Sequence, residues 1–359
     1  MDRAFGNQAA ASGREMPAGE TPLGVSVVIC TYNGAARLPQ TLAHLAAQEN
    51  TGAIAWEVLV VDNASTDDTA KVAHRCWPAG APAPLRIVRE PRLGTANARR
   101  RGLMDARYEI VSFVDDDNWM AANWLGLSYE IMSHEPGLGA LGSINYPACE
   151  IEPPSWFERF RANYTVYTEE DLAASGGAPW GLYSAGMSIR KTAWLQLVRD
   201  GFDFGVCGAV GAELGRGEDS ELTFALREAG WKLRIEPQLR FEHFIPARRL
   251  NWAYLRKLSR DSAVSTVVLD AYHLPADHGT GLKARLRKTW IWHALGAVKA
   301  LLKDPRTLLL APLCAMEGDP AVLTYEGWRG RLTGLLRLRG KYQAVMLKQH
   351  RWKAREPRA

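Results

Sequence analysis

Hydrophobic residues in the first third of the chain fall into short runs separated by longer stretches of helical spacing. The runs at 25–30 (VSVVIC), 57–61 (EVLVV), 85–89 (LRIVR) and 109–114 (EIVSFV) are rich in β-branched residues and predict strands inside a sheet. Between the first two, 34–48 places Leu38, Leu42 and Leu45 on one face of a helix. A second helix is predicted over 66–77, opening at the capping-box pattern STDD of 65–68, and a third over 94–106. Strand and helix in strict alternation imply a largely parallel α/β sheet with right-handed crossovers, a Rossmann-like half.

Past Asn118 the alternation dissolves. The stretch 146–180 carries Pro147, Pro153, Pro154 and Pro179 among many aromatics and predicts irregular structure laid on the surface. A helix over 218–230 and one or two strands over 232–244 follow, and from Asn251 the pattern is helical, with no repeat and no heptad seam. Residues 1–24 read as a flexible arm. This divides the chain into a folded domain over 25–250, with halves at 25–118 and 119–250, and a helical, basic region over 251–359.

Charge sharpens that division. Residues 281–359 hold 17 Lys and Arg against 5 Asp and Glu, whereas residues 1–280 hold 27 against 34. A basic tail could attract nucleic acid, but the Trp-bearing apolar stretch at 290–302 favours peripheral contact with an anionic membrane, and a solvated basic face is the plainer alternative. The best candidate span, 307–316, is ten residues without a charge, too short to cross a bilayer. Five scattered cysteines without a C-x-x-C pair indicate neither a zinc site nor a disulfide framework and fit a reducing cytosol.

The polar residues at strand ends carry the chemistry. In a parallel sheet ligands gather at the carboxyl ends of strands, and there the chain places Thr31, Tyr32, Asn33 and Gly34, then Asp62, Asn63 and Ser65, then the triplet Asp115, Asp116 and Asp117. Amides, carboxylates and an aromatic on one rim suit a nucleotide base and ribose; singly, Asn33, Asp62 and Ser65 are ordinary helix caps. Residues two apart in an extended segment share a side, so Asp115 and Asp117 can face one crevice while Asp116 turns away or toward a ribose. Hard carboxylate oxygens suit Mg2+ or Mn2+. The plain alternative is an acidic turn capping a helix that begins near Asn118.

Taken in order, VSVVICTYNG, EVLVVDNASTDDT, LGTANARRRG, FVDDDN and GEDSEL resemble the family 2 glycosyltransferases over roughly residues 25–249, and within them bacterial polysaccharide-biosynthesis enzymes. The resemblance implies a GT-A fold and inverting transfer of a sugar from a nucleotide diphosphate sugar, most often UDP-linked, to a glycan or lipid-linked acceptor. It implies that Asp115 meets the ribose or metal and that Asp117 binds the metal bridging the donor's diphosphate. It makes Asp219 the general base, with Glu218 as the fallback, and Arg99 a donor-binding residue, although Arg100 stands where the family pattern has Asn. His243, in FEHF, is a candidate third metal ligand, though a lone His among aromatics is also a core residue. Arg248 and Arg249 follow and could close over a diphosphate. Trp180 and Gly186, in WGLYSAGMSIR, match the family's acceptor-side loop.

The processive members' Q-x-x-R-W motif is absent, which implies one sugar per encounter, at the inner face of the plasma membrane, by a cytoplasmic or peripheral protein. Two other readings compete. A nucleotidyltransferase shares the sheet and paired aspartates but calls for a Gly-rich basic loop after the first strand, where this chain has TYNGAAR with only Arg37. An inactive sugar-binding or scaffold protein would have no need of Asp115, Asp117 and Asp219.

Overall fold

The four apolar runs become the parallel half of one eight-stranded sheet. β1 (Val25–Thr31), β2 (Trp56–Asp62), β3 (Leu85–Arg89) and β4 (Ile110–Asp115) lie in the order β3-β2-β1-β4, all parallel. α1 (Leu38–Ala46), α2 (Thr69–Cys76) and α3 (Thr95–Asp105) make the crossovers. Leu38, Leu42 and Leu45 pack with Val25, Val27 and Ile29 on one face, and Ala98 and Leu103 pack with Val28 and Leu59 on the other. Burial on both faces is why these strands read as unbroken apolar runs. This computed structural model describes residues 21–175, 181–206, 208–209, 214–273, 286–287, 289–311 and 316–353. Just before β1, the carbonyls of Pro22 and Gly24 accept hydrogen bonds from Glu109 N and Ile110 N, both at 3.0 Å.

The second half of the sheet was not visible in the alternation. After Asp115 the chain breaks for two residues and resumes as β5 (Asn118–Met120), so a short strand stands where a helix was expected and α4 starts only at Trp124 (Trp124–His134). β6 (Leu138–Cys149) carries regular structure into the stretch expected to be irregular. After it come α5 (Phe157–Phe160), α6 (Glu169–Ala174), β7 (Ser188–Arg190), α7 (Lys191–Arg199), α8 (Glu218–Glu228) and β8 (Lys232–Ile245). The sheet order runs on from β4 as β7-β6-β8-β5, with β7 antiparallel to both neighbours and β5 antiparallel to β8. The β5 register, Asn118 opposite His243, sets the site.

The basic C-terminal helices are α9 (Trp252–Ser265), α10 (Asp270–His273), α11 (Trp290–Leu302), α12 (Pro305–Leu310), α13 (Pro320–Leu338) and α14 (Tyr342–Lys353). They are not all solvated. α13 lies so close to α9 that a Cβ on Gly330 would sit 2.1 Å from the Arg260 carbonyl oxygen. Glu326, fully buried, accepts hydrogen bonds from Arg256, Arg260 and Arg329, which consumes part of the positive charge inside the fold. Leu335, Tyr342 and Met346 then pack with Val267 and with Phe224 of α8, so these helices buttress the helix that begins at Glu218.

Candidate active site

Parallel register brings three strand ends to one rim. Thr31 pairs with Asp62 across β1 and β2, and Cys30 with Asp115 across β1 and β4. The acids of the triplet then part company.

Asp116 points into the turn after β1. Its carboxylate accepts two hydrogen bonds from Arg37, at 2.8 Å each, and one from Thr31 Oγ1 at 2.5 Å. The turn closes on it so tightly that a Cβ on Gly34 would lie 2.4 Å from Asp116 Oδ2 and 2.0 Å from Thr31 Oγ1, so only glycine fits. Asp116 and Thr31 are therefore partners of each other.

Asp117 faces β8. Its Oδ2 accepts from Arg249 Nη1 at 3.0 Å, and its Oδ1 lies 3.7 Å from His243 Nε2. Burial alone would raise its pKa, but His243, Arg249 and Arg37 outweigh burial and hold the carboxyl below the usual carboxylate range. Burial lowers the pKa of the His243 ring, with Asp117 opposing. His243 Nδ1 has no hydrogen-bond partner.

Asp115 stays at the rim, its side chain 38% exposed, with Oδ1 3.9 Å from Arg99 Nη2. Withdrawal from bulk water within the crevice pushes its carboxyl up to about 7, against the pull of Arg99 and with the push of Asp117, Asp116 and Glu218. Arg99 does not reach into the open crevice. Its guanidinium is buried and donates to Glu218 Oε1 and to Ser184 Oγ. Thr95 Oγ1 adds a 2.6 Å hydrogen bond to Glu218 Oε1.

That pairing separates the two acids at the start of α8. Glu218 is paired with a guanidinium, whereas Asp219 has no cation bonded to it among the described residues and accepts from the backbone N–H of Ser184 at 3.3 Å and of Ser220 at 2.7 Å, and from Ser220 Oγ at 3.5 Å. Burial and then the nearby Glu218 charge raise its pKa, with Arg99 opposing. Tyr183, 39% exposed and edge-on to Tyr167 at 6.2 Å, stands beside this residue, one position before Ser184.

The remaining expected residues hold loops together. Asn33, at φ 49°, accepts from Thr66 N at 2.8 Å and donates its backbone N–H to Ser65 Oγ at 3.0 Å. Asp62 Oδ1 accepts from Ser65 N at 2.9 Å. Asn63 donates to the carbonyls of Glu90 and Arg92, at 3.2 and 2.7 Å, and accepts from Gly94 N at 2.9 Å, so its amide is fully engaged. Tyr32 is half-buried beside them. Gly186, at φ 70°, is a buried turn whose Cβ would meet Phe241 at 2.8 Å; it shapes the site from behind. Trp180 lies outside the described residues. Sequence reading assigned no role to Arg37, Thr95 or Ser184. Arg37 alone carried a signal, as the one cation after the first strand end.

Comparisons with known proteins bear on the fold and the family. The family described as Glycosyl transferase family 2 matches residues 26–196. An uncharacterized glycosyltransferase of Mycobacterium tuberculosis is 40% identical over 98 residues, 27% of this chain and 38% of that protein. The human dolichyl-phosphate beta-glucosyltransferase is 34% identical over 99 residues, 26% of this chain and 31% of that one. The chain thus spans well under half the length of these curated relatives. Among solved structures, a mannosyltransferase from Pyrobaculum calidifontis, in complex with GDP-Man and Mn2+, superimposes with a TM-score of 0.52 at 20% identity, covering 89% of this chain and 88% of that one. The fold is therefore GT-A, and residues 26–196 of the chain match the family described as Glycosyl transferase family 2.

Proposed function

We propose that this protein is a metal-dependent, inverting glycosyltransferase that moves a sugar from a nucleotide diphosphate sugar to a glycan or lipid-linked acceptor in cell-surface polysaccharide biosynthesis. The observation that carries the reading is the division of acids around one crevice. Asp117 sits with His243 and Arg249, and Asp115 stands at the rim. Asp219 is freed from its neighbour by the Arg99 to Glu218 pair.

The residues present fit a divalent ion. Asp117 Oδ1 and His243 Nε2 are 3.7 Å apart, too far for a hydrogen bond. Two donors that each lie about 2.1 Å from one hard cation are separated by roughly 3 to 4 Å. Among the described residues no three metal-ligating side chains converge, so phosphate oxygens and water would complete the shell, with Asp115 close enough to bind the ribose. A bound Mn2+ or Mg2+ would stabilise the charge that builds on the departing diphosphate.

The chain's own residues do the rest. Asp219 takes the proton of the acceptor hydroxyl as that oxygen bonds to the anomeric carbon. The bond from anomeric carbon to phosphate oxygen breaks on the opposite face, and its electron pair leaves with the nucleoside diphosphate. The proton later passes from Asp219 to solvent. Arg99 holds Glu218 so that the neighbouring acid cannot compete, and Ser184 N–H fixes one Asp219 oxygen. Arg249 places a cation beside Asp117, where the diphosphate would lie. The Pyrobaculum mannosyltransferase, solved with GDP-Man and Mn2+, supports a nucleotide sugar and a divalent ion for this crevice.

The test is a panel of UDP-, GDP- and dTDP-sugars with Mn2+, read by thermal shift and by release of free nucleoside diphosphate. Donor binding raises the melting temperature by mass action. A shift and slow release that need Mn2+, are abolished by EDTA and are lost in Asp117→Ala support the reading; a flat response across the panel overturns it.

A further inference from the structure

Exposed apolar side chains are concentrated in one short part of the chain. Of fifteen large hydrophobic residues exposed among the described residues, seven fall between Leu286 and Leu309. On α11 their arrangement is regular. At about 100° per residue, Ile291, Leu295, Val298 and Leu302 fall within roughly 60° of one another on the helix surface. They are 52, 63, 38 and 61% exposed, and the helix buries only Ala294 and Ala297 on its other side, toward α13. Leu309 of α12, 71% exposed, adds to the same short segment.

The residues beside that row decide what it meets. Trp292, Lys299 and Lys303 project from an adjacent strip of the same helix, all exposed, and Arg306 follows on α12. Asp304, the one acid among the described residues from Leu286 to Leu309, is engaged as the cap of α12, accepting from Thr307 N at 3.1 Å and Thr307 Oγ1 at 2.6 Å. A nucleic acid would satisfy the lysines and leave the leucines in water. An anionic bilayer satisfies both, because leucine and isoleucine enter the acyl boundary, tryptophan sits at the headgroups and lysine stems extend to the phosphates. The thirteen residues of α11 extend about 20 Å, too short to cross a bilayer and suited to lying in its surface.

We propose that the outer face of α11, continued by α12, docks this protein on a membrane of anionic lipid. The inference stands apart from the transferase reading, since it needs neither donor nor metal. It also gives a lipid-linked acceptor a surface on which to reach the enzyme.

The experiment is flotation of the full-length protein with phosphatidylcholine vesicles, with and without phosphatidylglycerol, in moderate salt. Wild type is expected to float with the anionic vesicles only. The double variant Leu295→Ser/Leu302→Ser should lose binding by at least about tenfold. Lys299→Glu/Lys303→Glu should lose flotation with the anionic vesicles as well. Both keep the wild-type melting temperature and donor-induced shift, because the altered side chains are exposed. Equal recovery with and without vesicles overturns the proposal, as does a leucine variant that floats like wild type. A self-association of the wild type in sedimentation that the leucine variant abolishes, without vesicle binding, would reassign the face to a contact between copies.

Discussion

Arg99 and Glu218, 119 residues apart in sequence, form a buried ion pair in which Arg99 also donates to Ser184 and Glu218 also accepts from Thr95. The pair joins α3 to the first turn of α8, so the acid beside it, Asp219, is held at a fixed place. Two adjacent carboxylates thereby acquire different surroundings: one is matched to a guanidinium, and the other accepts, among the described residues, only from neutral donors, on Ser184 and Ser220.

Exchanging each acid for its amide should separate these roles. Asp219→Asn is expected to fold normally and lower kcat by about a hundred- to ten-thousandfold, the usual worth of a general base. Glu218→Gln leaves a buried arginine without its counter-charge and is expected to lower stability by about 3 to 5 kcal/mol, with a smaller loss of kcat in the protein that remains folded. Urea unfolding read beside steady-state rates decides it. Equal loss of kcat in both variants at full folding would remove the distinction between them.

The same asymmetry predicts a pH dependence. Asp219 has its pKa raised by burial and by Glu218, so it holds its proton more tightly folded than unfolded. That contribution to stability is present below the unfolded carboxylate value of 3.8 and is lost as pH rises through the raised folded value. Asp219→Asn cannot suffer that loss. The variant should gain thermal stability relative to wild type as pH is raised from 4 to neutrality, while wild-type kcat/KM falls on the acid side of a limb lying above the ordinary aspartate range. Parallel melting curves for the two proteins across that interval would contradict the assignment.

Neighbouring aspartates of the triplet should fail in different ways. Asp116 accepts three hydrogen bonds from Arg37 and Thr31, so Asp116→Asn is expected to cost about 2 to 3 kcal/mol of stability and leave the Mn2+ requirement unchanged. Asp117→Asn and His243→Ala should instead raise the Mn2+ concentration needed for half-maximal donor binding by at least about tenfold. A metal titration followed by thermal shift in saturating nucleotide sugar measures both, and an Asp116 variant with the larger metal defect would reverse the two roles.

How far the site could be read from sequence follows from these contacts. The parallel strands were legible because burial on both faces writes itself as apolar runs, and the triplet was legible because it ends one of them. The split within the triplet was not, because it depends on β5 pairing with β8 and on Arg37 reaching back from the turn after β1, both of which are tertiary. The STDD stretch was misread for a related reason. Ser65 accepts from Asn33 N and Asp67 from Ala35 N, so these side chains tie two loops together and α2 starts later, at Thr69, without the expected capping box. β6 stayed hidden because its glycines and proline mimic a loop. Arg99, expected to bind the donor, instead pairs with the buried Glu218, a partner that could be known only from the fold.

The C-terminal helices give a final prediction about reach. Gly330 and Gly334 lie one helical turn apart on α13, and Cβ atoms there would come within 2.1 Å of the Arg260 carbonyl oxygen and 2.5 Å of the Val264 carbonyl oxygen on α9. Backbone atoms cannot yield as a side-chain tip can, so Gly330→Ala must push α13 away from α9. Separation strains the arginines gathered on the buried Glu326 and loosens Leu335 and Tyr342 from Phe224 of α8. The expected cost is about 2 kcal/mol or more, the usual penalty for overpacking. With Asp219 at the start of α8 as the proposed base, kcat should fall while donor-induced stabilisation, which the proposal rests on Asp117 and His243, is retained. Gly340→Ala, where an added Cβ meets no atom within 4 Å, is the matched control and should change neither quantity. A Gly330→Ala protein with wild-type kcat would show that the C-terminal helices support the fold without positioning Asp219.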